Sequence, residues 1–170
     1  GISDIAVIDP GPDDERHLTN IFKCLERGQQ ITHILLTHSH IDHSPLAKKL
    51  SELTGAKIYA YGPTGLGQSS VMRDLLKSGY TGGGEGRDED FKPNVCLEEG
   101  EIIDVAREQL EVIYTPGHFG NHICFAWKGA LFSGDHVMDW ATSMVSPPDG
   151  DLADFMASCR KLQKRDWRGF

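Results

Sequence analysis

Apolar positions recur along this chain in two rhythms. DIAVID (4–9), THILLT (32–37) and KIYAY (57–61) are short and rich in β-branched or aromatic residues, the pattern of strands. Between them the spacing lengthens. Leu18, Ile21, Phe22 and Leu25 follow a helical repeat that Gly28 can end, and Leu46, Leu50 and Leu53 form a second stripe stopped at Gly55. PGPDD (10–14) reads as a turn. Ser44 is expected to cap the second helix, with Pro45 at its first position. THILLT is apolar enough to be buried on both faces. Strand, helix, strand, helix, strand in succession predicts an α/β layered domain.

The second half changes rhythm. EIIDV (101–105), LEVIYT (110–115), ICFAW (123–127) and ALFSG (130–134) are strand-like, and Lys128-Gly129 makes a tight turn between the last two. Asp151 is expected to cap a final helix with the buried stripe Leu152, Phe155, Met156, Cys159 and Leu162. Between the halves, residues 62–94 hold GPTGLGQSS, a short helix over 71–77, and TGGGEGRDED. A phosphate loop needs Lys after its last glycine, and here Gln68 follows Gly67, so no phosphate cradle is expected. A mobile surface loop beside a site is expected instead, because long loops in compact domains often act as lids. With no internal repeat and no linker, residues 1–170 read as a single domain.

Composition narrows the setting. The chain is 39% hydrophobic and 25% charged, with a formal net charge of −8. That balance suits a globular protein and disfavours non-specific nucleic-acid binding, which relies on excess Lys and Arg. No apolar run approaches the ~20 residues of a membrane span, and no basic, apolar leader opens the chain. Cys24, Cys96, Cys124 and Cys159 form no CxxC pair and are expected as reduced core thiols of a cytoplasmic protein. The chain opens without Met and almost directly in a strand, so a processed or trimmed N-terminus is expected.

The candidate chemistry concentrates in THSHIDHS (37–44). His38 and His40 lie two apart at a strand end and so share a face. Asp42 and His43 sit in the turn before Pro45 and can aim at a neighbouring spot. This arrangement suits two adjacent cations, one on His38 and His40, the other on Asp42 and His43, because imidazole and carboxylate are the zinc ligands used most outside thiolate sites. Two more strand ends offer similar groups: His118 in TPGHFGNH (115–122) and Asp135 in SGDH (133–136). Ligands gather outside the carboxyl ends of strands in α/β sheets, so these groups can converge. His122 is placed beside the site, as a second-layer or substrate-facing residue. His136 matches no ligand position, and His17 and His33 carry no assigned role.

These motifs resemble the metallo-β-lactamase-fold hydrolase superfamily, whose signature is HxHxDH, then a His, then an Asp. They correspond to His38 through His43, His118 and Asp135. IDPGP, THSHIDHSP, TPGHFGNH, FSGDHVM and VSPPDGDL resemble the branch related to glyoxalase II and the human β-lactamase-like protein 2 group. The resemblance implies an αββα four-layer sandwich with a dinuclear metal site along one edge of its sheets. It implies His38, His40 and His118 on metal one, Asp42 and His43 on metal two, and Asp135 bridging both. The family's usual last His, in a PGHG-like motif, does not follow Asp135, so the fold reads as incomplete at both ends and metal two lacks one ligand.

The implied activity is hydrolysis by a metal-bound hydroxide, with two Zn2+ as the default and Fe or Mn as alternatives. Asp42 is the expected catalytic group, orienting the water and accepting its proton. The expected substrate is a small-molecule ester or thioester. Single-stranded RNA is the alternative from the same resemblance, and a metal-binding domain without turnover is the rival from another class. No membrane partner is expected, and the sequence does not address oligomeric state.

Overall fold

The computed structural model describes residues 3–82, 84, 86–105 and 107–170. Four strands, β1 (Asp4–Ile8), β2 (Gln30–Leu35), β3 (Lys57–Ala60) and β4 (Val95–Cys96), form one all-parallel sheet in the order β1-β2-β3-β4. Four more, β5 (Ile102–Val105), β6 (Glu108–Tyr114), β7 (Ile123–Trp127) and β8 (Ala130–Phe132), form an antiparallel meander. The helices are α1 (Glu15–Lys23), α2 (Leu46–Thr54), α3 (Ser70–Lys77) and α4 (Leu152–Leu162).

Alternation along the strands builds the layers. On β2, Ile34 points to a core shared with Leu18 of α1 and Leu46, Ala47 and Leu50 of α2, whereas Leu35 points to the opposite core. That second core joins the two sheets: Leu35, Ala6 and Ile8 meet Ile103, Val105, Leu110, Val112, Ile123 and Phe125. On the far face of the meander, Ile113, Cys124, Ala126 and Leu131 pack against Leu162 of α4. Helices, sheet, sheet and helix therefore stack in that order, the αββα sandwich expected. Each sheet has both faces covered, which explains why β7 is a nearly continuous apolar run and why Ile34 and Leu35 of β2 are both buried. Fully burying one such Leu, Ile or Phe side chain contributes about 1.5–3 kcal/mol.

Local signals work largely as expected. Asp14 and Asp151 cap α1 and α4 by accepting backbone N–H bonds, and Gly55 ends α2 at φ 75°. Lys128 and Gly129 both have positive φ in the β7–β8 turn. Helix α3 covers the short helix expected over 71–77.

Four local expectations are corrected. Pro45, not Ser44, occupies the cap position of α2; the Ser44 hydroxyl instead donates to Asp88 Oδ2 at 2.8 Å, with the carbonyl of His40 farther off at 3.2 Å. Leu53 is exposed, since α2 buries only Leu46, Ala47 and Leu50. On α4, Leu152 and Met156 are exposed, while Ser158 and Leu162 are buried. The inward face of α4 is instead centred on Phe155, Ser158 and Leu162, and at Phe155 its backbone approaches Gly117 so closely that a Cβ there would lie 2.2 Å away. All four cysteines are free thiols, but the expected core placement holds only for Cys124; Cys159 is half-buried, and Cys24 and Cys96 are exposed because they lie just past the end of α1 and on the short strand β4. Among the described residues no helix is long and apolar enough to cross a membrane.

Candidate metal centre

The strand ends converge as their sequence positions suggested. β2 runs into the turn 38–44, which folds back on itself through His43 and Ser44 N–H bonds to the His40 carbonyl. His38 Nε2 lies 3.0 Å from His40 Nδ1, and His118 Nε2 lies 3.0 Å from the same His40 atom. Beside this trio, His43 Nε2 is 3.5 Å from Asp42 Oδ2 and 3.3 Å from Asp135 Oδ1. The other Asp135 oxygen is 3.8 Å from His118 Nε2, so Asp135 stands between the two groups. His38, His40 and His118 form one set of close donor atoms, and Asp42, His43 and Asp135 form another.

A residue given no individual role by the sequence reading joins them. Asp9, in the IDPGP stretch, accepts hydrogen bonds from the Thr37 backbone N–H (2.8 Å), the Thr37 hydroxyl (2.6 Å) and His43 Nδ1 (3.0 Å). It also belongs to a third donor set with His38 and His43. The turn that carries Asp9 is fixed against the cluster by Gly11 N–H to His43 O and Leu46 N–H to Gly11 O. The only early hint was an acid at a strand end before PGP; its partner is far along the chain.

The hydrogen-bond directions test whether a cation suits these groups. Thr37 has one hydroxyl proton, which it donates to Asp9, so at its 2.9 Å contact with His38 Nδ1 the ring must be the donor. His118 Nδ1 donates to the Met144 carbonyl at 2.6 Å. Both rings therefore present an Nε2 lone pair to His40 Nδ1, and a single proton there cannot serve both contacts well. Three nitrogens bound to one tetrahedral zinc at ordinary Zn–N lengths stand roughly 3.3 Å apart, close to the spacing found here. The donor set fits a divalent cation.

For His38 and His40 the electrostatics agree. Burial, reinforced by the neighbouring imidazoles, pushes His38 well below the ordinary histidine range and His40 down to about 3, which keeps both neutral. Burial also opposes charge on His43, but hydrogen bonds to Asp135 and Asp9 outweigh it and raise His43 to about 10. Asp135 is lowered despite its burial, chiefly by its contact with His43.

The remaining histidines fall outside these sets. His122 is wholly buried, with its ring 5.1 Å from that of His38 and Nδ1 against the Thr115 hydroxyl at 2.9 Å. His136 lies behind it, next to Phe155 and Cys159, and burial pushes it down to about 4. His33 stacks on Tyr59, away from the cluster.

Residues 86–88 meet the turn directly. Gly86 O accepts from Ile41 N–H, and Asp88 N–H donates to Ser39 O. Arg87 faces Asp149 (3.3 Å) and Glu89 (3.3 Å) and lies over the Phe119 ring, which tethers this strap to the segment after β8. Within the stretch expected as a loop, Gly86–Asp88 form a strap hydrogen-bonded to the turn, while Gly83 and Glu85 of TGGGEGRDED lie outside the described residues. In GPTGLG, Gly67 serves packing: a Cβ there would sit 2.1 Å from the Gly120 carbonyl oxygen, and the following Gln68 donates to Pro148 O.

Beside the carboxylate group opens a cavity of about 890 Å³, reached by Asp42, His43, His118 and Asp135 and walled by the segment after β8. Fold and site together define an αββα sandwich with two facing sets of side chains that could hold metal ions at a sheet edge. Comparison with known proteins gives the family. The sequence profile of the metallo-beta-lactamase superfamily matches residues 3–166, and the chain belongs to that superfamily.

Hydroxyacylglutathione hydrolase of Francisella tularensis subsp. novicida (strain U112) is 31% identical over 140 residues, covering 81% of this chain and 46% of that protein. The chain spans about half the length of the curated relatives it matches. A metallo-beta-lactamase family protein from Thermus thermophilus shares the fold with a TM-score of 0.75 at 23% identity, over all of this chain and 65% of the other. TTHA1623, solved in a di-iron-bound form, superposes with a TM-score of 0.66 at 26% identity, over 92% of this chain and 74% of that one. Members of the superfamily bind divalent metals.

Proposed function

We propose that this chain is a metal-dependent hydrolase acting on a small-molecule ester or thioester. The observation that carries the reading is the placement of Asp135 between a three-histidine set and an Asp42–His43 pair, at the mouth of a cavity large enough for a small substrate. His38, His40 and His118 would hold one cation, Asp42 and His43 a second, with Asp135 shared. Zinc is the default, and the di-iron relative keeps iron as the alternative. Bound there, the pair would polarise an ester carbonyl and render a water nucleophilic at neutral pH.

The chain's own residues supply the rest. Asp42 is half exposed toward the cavity, where a carboxylate oxygen can orient the attacking water and take up its proton. Asp9 and the Met144 carbonyl hold the His43 and His118 rings by their Nδ1 protons. The likeness to hydroxyacylglutathione hydrolases supports a thioester over other esters. The test is a panel of neutral esters, thioesters and single-stranded RNA, run on metal-loaded protein and on Asp135→Ala. Ester or thioester turnover that disappears in the variant supports the reading; equal turnover in both, or cleavage of RNA alone, overturns it.

A further inference from the structure

The structure assigns a positioning role in metal binding to the Arg87–Asp149 ion pair: it locks together the two segments that aim His40 and His118, and so fixes the three-histidine set without touching a metal ion or substrate; this rests on the metal assignment in the hydrolase reading. His40 and His118 are 78 residues apart in sequence, yet their facing nitrogens are 3.0 Å apart. Neither residue belongs to a helix or to one of the eight strands. Side chains of a metal centre need to be held within about 0.5 Å of their working geometry, and loops achieve this only when neighbouring groups brace them.

Arg87 braces the loop of His40. The two residues face each other in an isolated antiparallel bridge. On either side of Arg87, Gly86 O accepts from Ile41 N–H at 3.2 Å, and Asp88 N–H donates to Ser39 O at 3.0 Å. The guanidinium lies 5.9 Å from the centre of the Phe119 ring, and that ring stands edge-on to the His40 imidazole with centroids 4.6 Å apart.

Asp149 belongs to the segment that braces His118. Met144 in that segment supplies the carbonyl that accepts the His118 Nδ1 proton, and Asp151 N–H donates to Gly117 O at 2.8 Å. Gly150 fits so closely that a Cβ there would lie 3.0 Å from the His118 carbonyl oxygen.

Arg87 Nη1 and Asp149 Oδ1, 3.3 Å apart, join the two braces. Both side chains are largely buried. A buried ion pair adds little net stability over apolar packing, because desolvation offsets the attraction. What a guanidinium facing a carboxylate does supply is direction, which sliding apolar surfaces lack. Direction is what a brace between two ligand-bearing loops requires.

The test separates positioning from stability. Arg87→Met and the nearly isosteric Asp149→Asn are compared with Ile103→Ala, which opens a void in the core between the sheets. Zinc affinities are read by competition with chromophoric chelators in the cold, where circular dichroism shows each variant folded, and urea melts rank stability. In Arg87→Met and Asp149→Asn, one of the two zinc ions is expected to be held about tenfold or more weakly, with the other little changed. Ile103→Ala should lose stability but keep both affinities. Cobalt-loaded protein gives a second readout, because the ion shifts the N–H proton signals of the imidazoles that hold it. The signals of His38, His40 and His118 should move in the two variants, and that of His43 should stay. Unchanged affinities, equal weakening of both ions, or a matching loss in Ile103→Ala overturns the inference and leaves the hydrolase reading standing. Parent protein that takes up no zinc overturns both.

Discussion

Asp9 and His43, 34 residues apart in sequence, are joined by a 3.0 Å hydrogen bond from His43 Nδ1 to Asp9 Oδ2. The same carboxylate accepts the Thr37 hydroxyl, whose oxygen in turn takes the His38 Nδ1 proton. One acid thus orients imidazoles in both donor sets.

Replacing such an outer partner typically costs about 10- to 100-fold in metal affinity. Asp9→Asn keeps the side chain's shape but presents an amide in place of one carboxylate oxygen. The expected result is weaker metal retention by a factor in that range, read by competition with a chromophoric chelator, while the far-UV spectrum is unchanged. Unaltered affinity would remove Asp9 from the site.

His122 provides the contrasting case. It is as buried as His38, yet it belongs to neither donor set and bonds Thr115. His122→Ala opens a void in the packed layer under the site, and large-to-small core changes cost about 2–5 kcal/mol. The variant should melt at a lower temperature but still take up metal to the wild-type stoichiometry when refolded in the cold. Loss of one metal per chain would make it a ligand.

The strap over the turn depends on the Arg87–Asp149 pair, 15% and 9% exposed. Burial pushes the Asp149 carboxyl up even with Arg87 beside it, so the acid is poorly solvated without its partner. Arg87→Met should destabilise the protein by about 3 kcal/mol, the usual size for stranding one member of a buried pair. The double variant Arg87→Met, Asp149→Leu should recover much of that in urea melts. A single variant as stable as the parent would show that the pair does not hold the strap.

Thiol reactivity reports on the layers. Cys24 and Cys96 are exposed, Cys159 is half-buried, and burial pushes the Cys124 thiol up to about 12. The thiolate is the reactive form. Native protein should therefore react first at Cys24 and Cys96 with a disulfide reagent, and Cys124 should wait for denaturant. Mass spectrometry of the trapped products reads the order; early labelling of Cys124 would contradict its place between the meander and α4.

How much of this was legible in the sequence varied with the range of the interaction. His38, His40, Asp42 and His43 share a single turn, so their convergence follows from strand periodicity and a turn signal. His118 and Asp135 were legible because both follow apolar runs that end in turn residues. Asp9 and Arg87 were not, because what gives each a role is a partner 34 or 62 residues away that no local pattern marks. Strand β4 is two residues long, too short to show a period. The α4 stripe was legible in part: Phe155, Cys159 and Leu162 turn inward, but Leu152 and Met156 are exposed, a rotation that helical spacing alone does not fix.

Metal placement is the most direct test of the central claim. Crystals of the zinc-loaded protein, with anomalous difference maps collected on either side of the zinc edge, should give one peak among His38, His40 and His118. A second should lie between Asp42, His43 and Asp135, and both should disappear in Asp135→Ala or fall to a single weak one. Fully loaded protein with no peak at these residues, or with its zinc bound elsewhere on the chain, would contradict it.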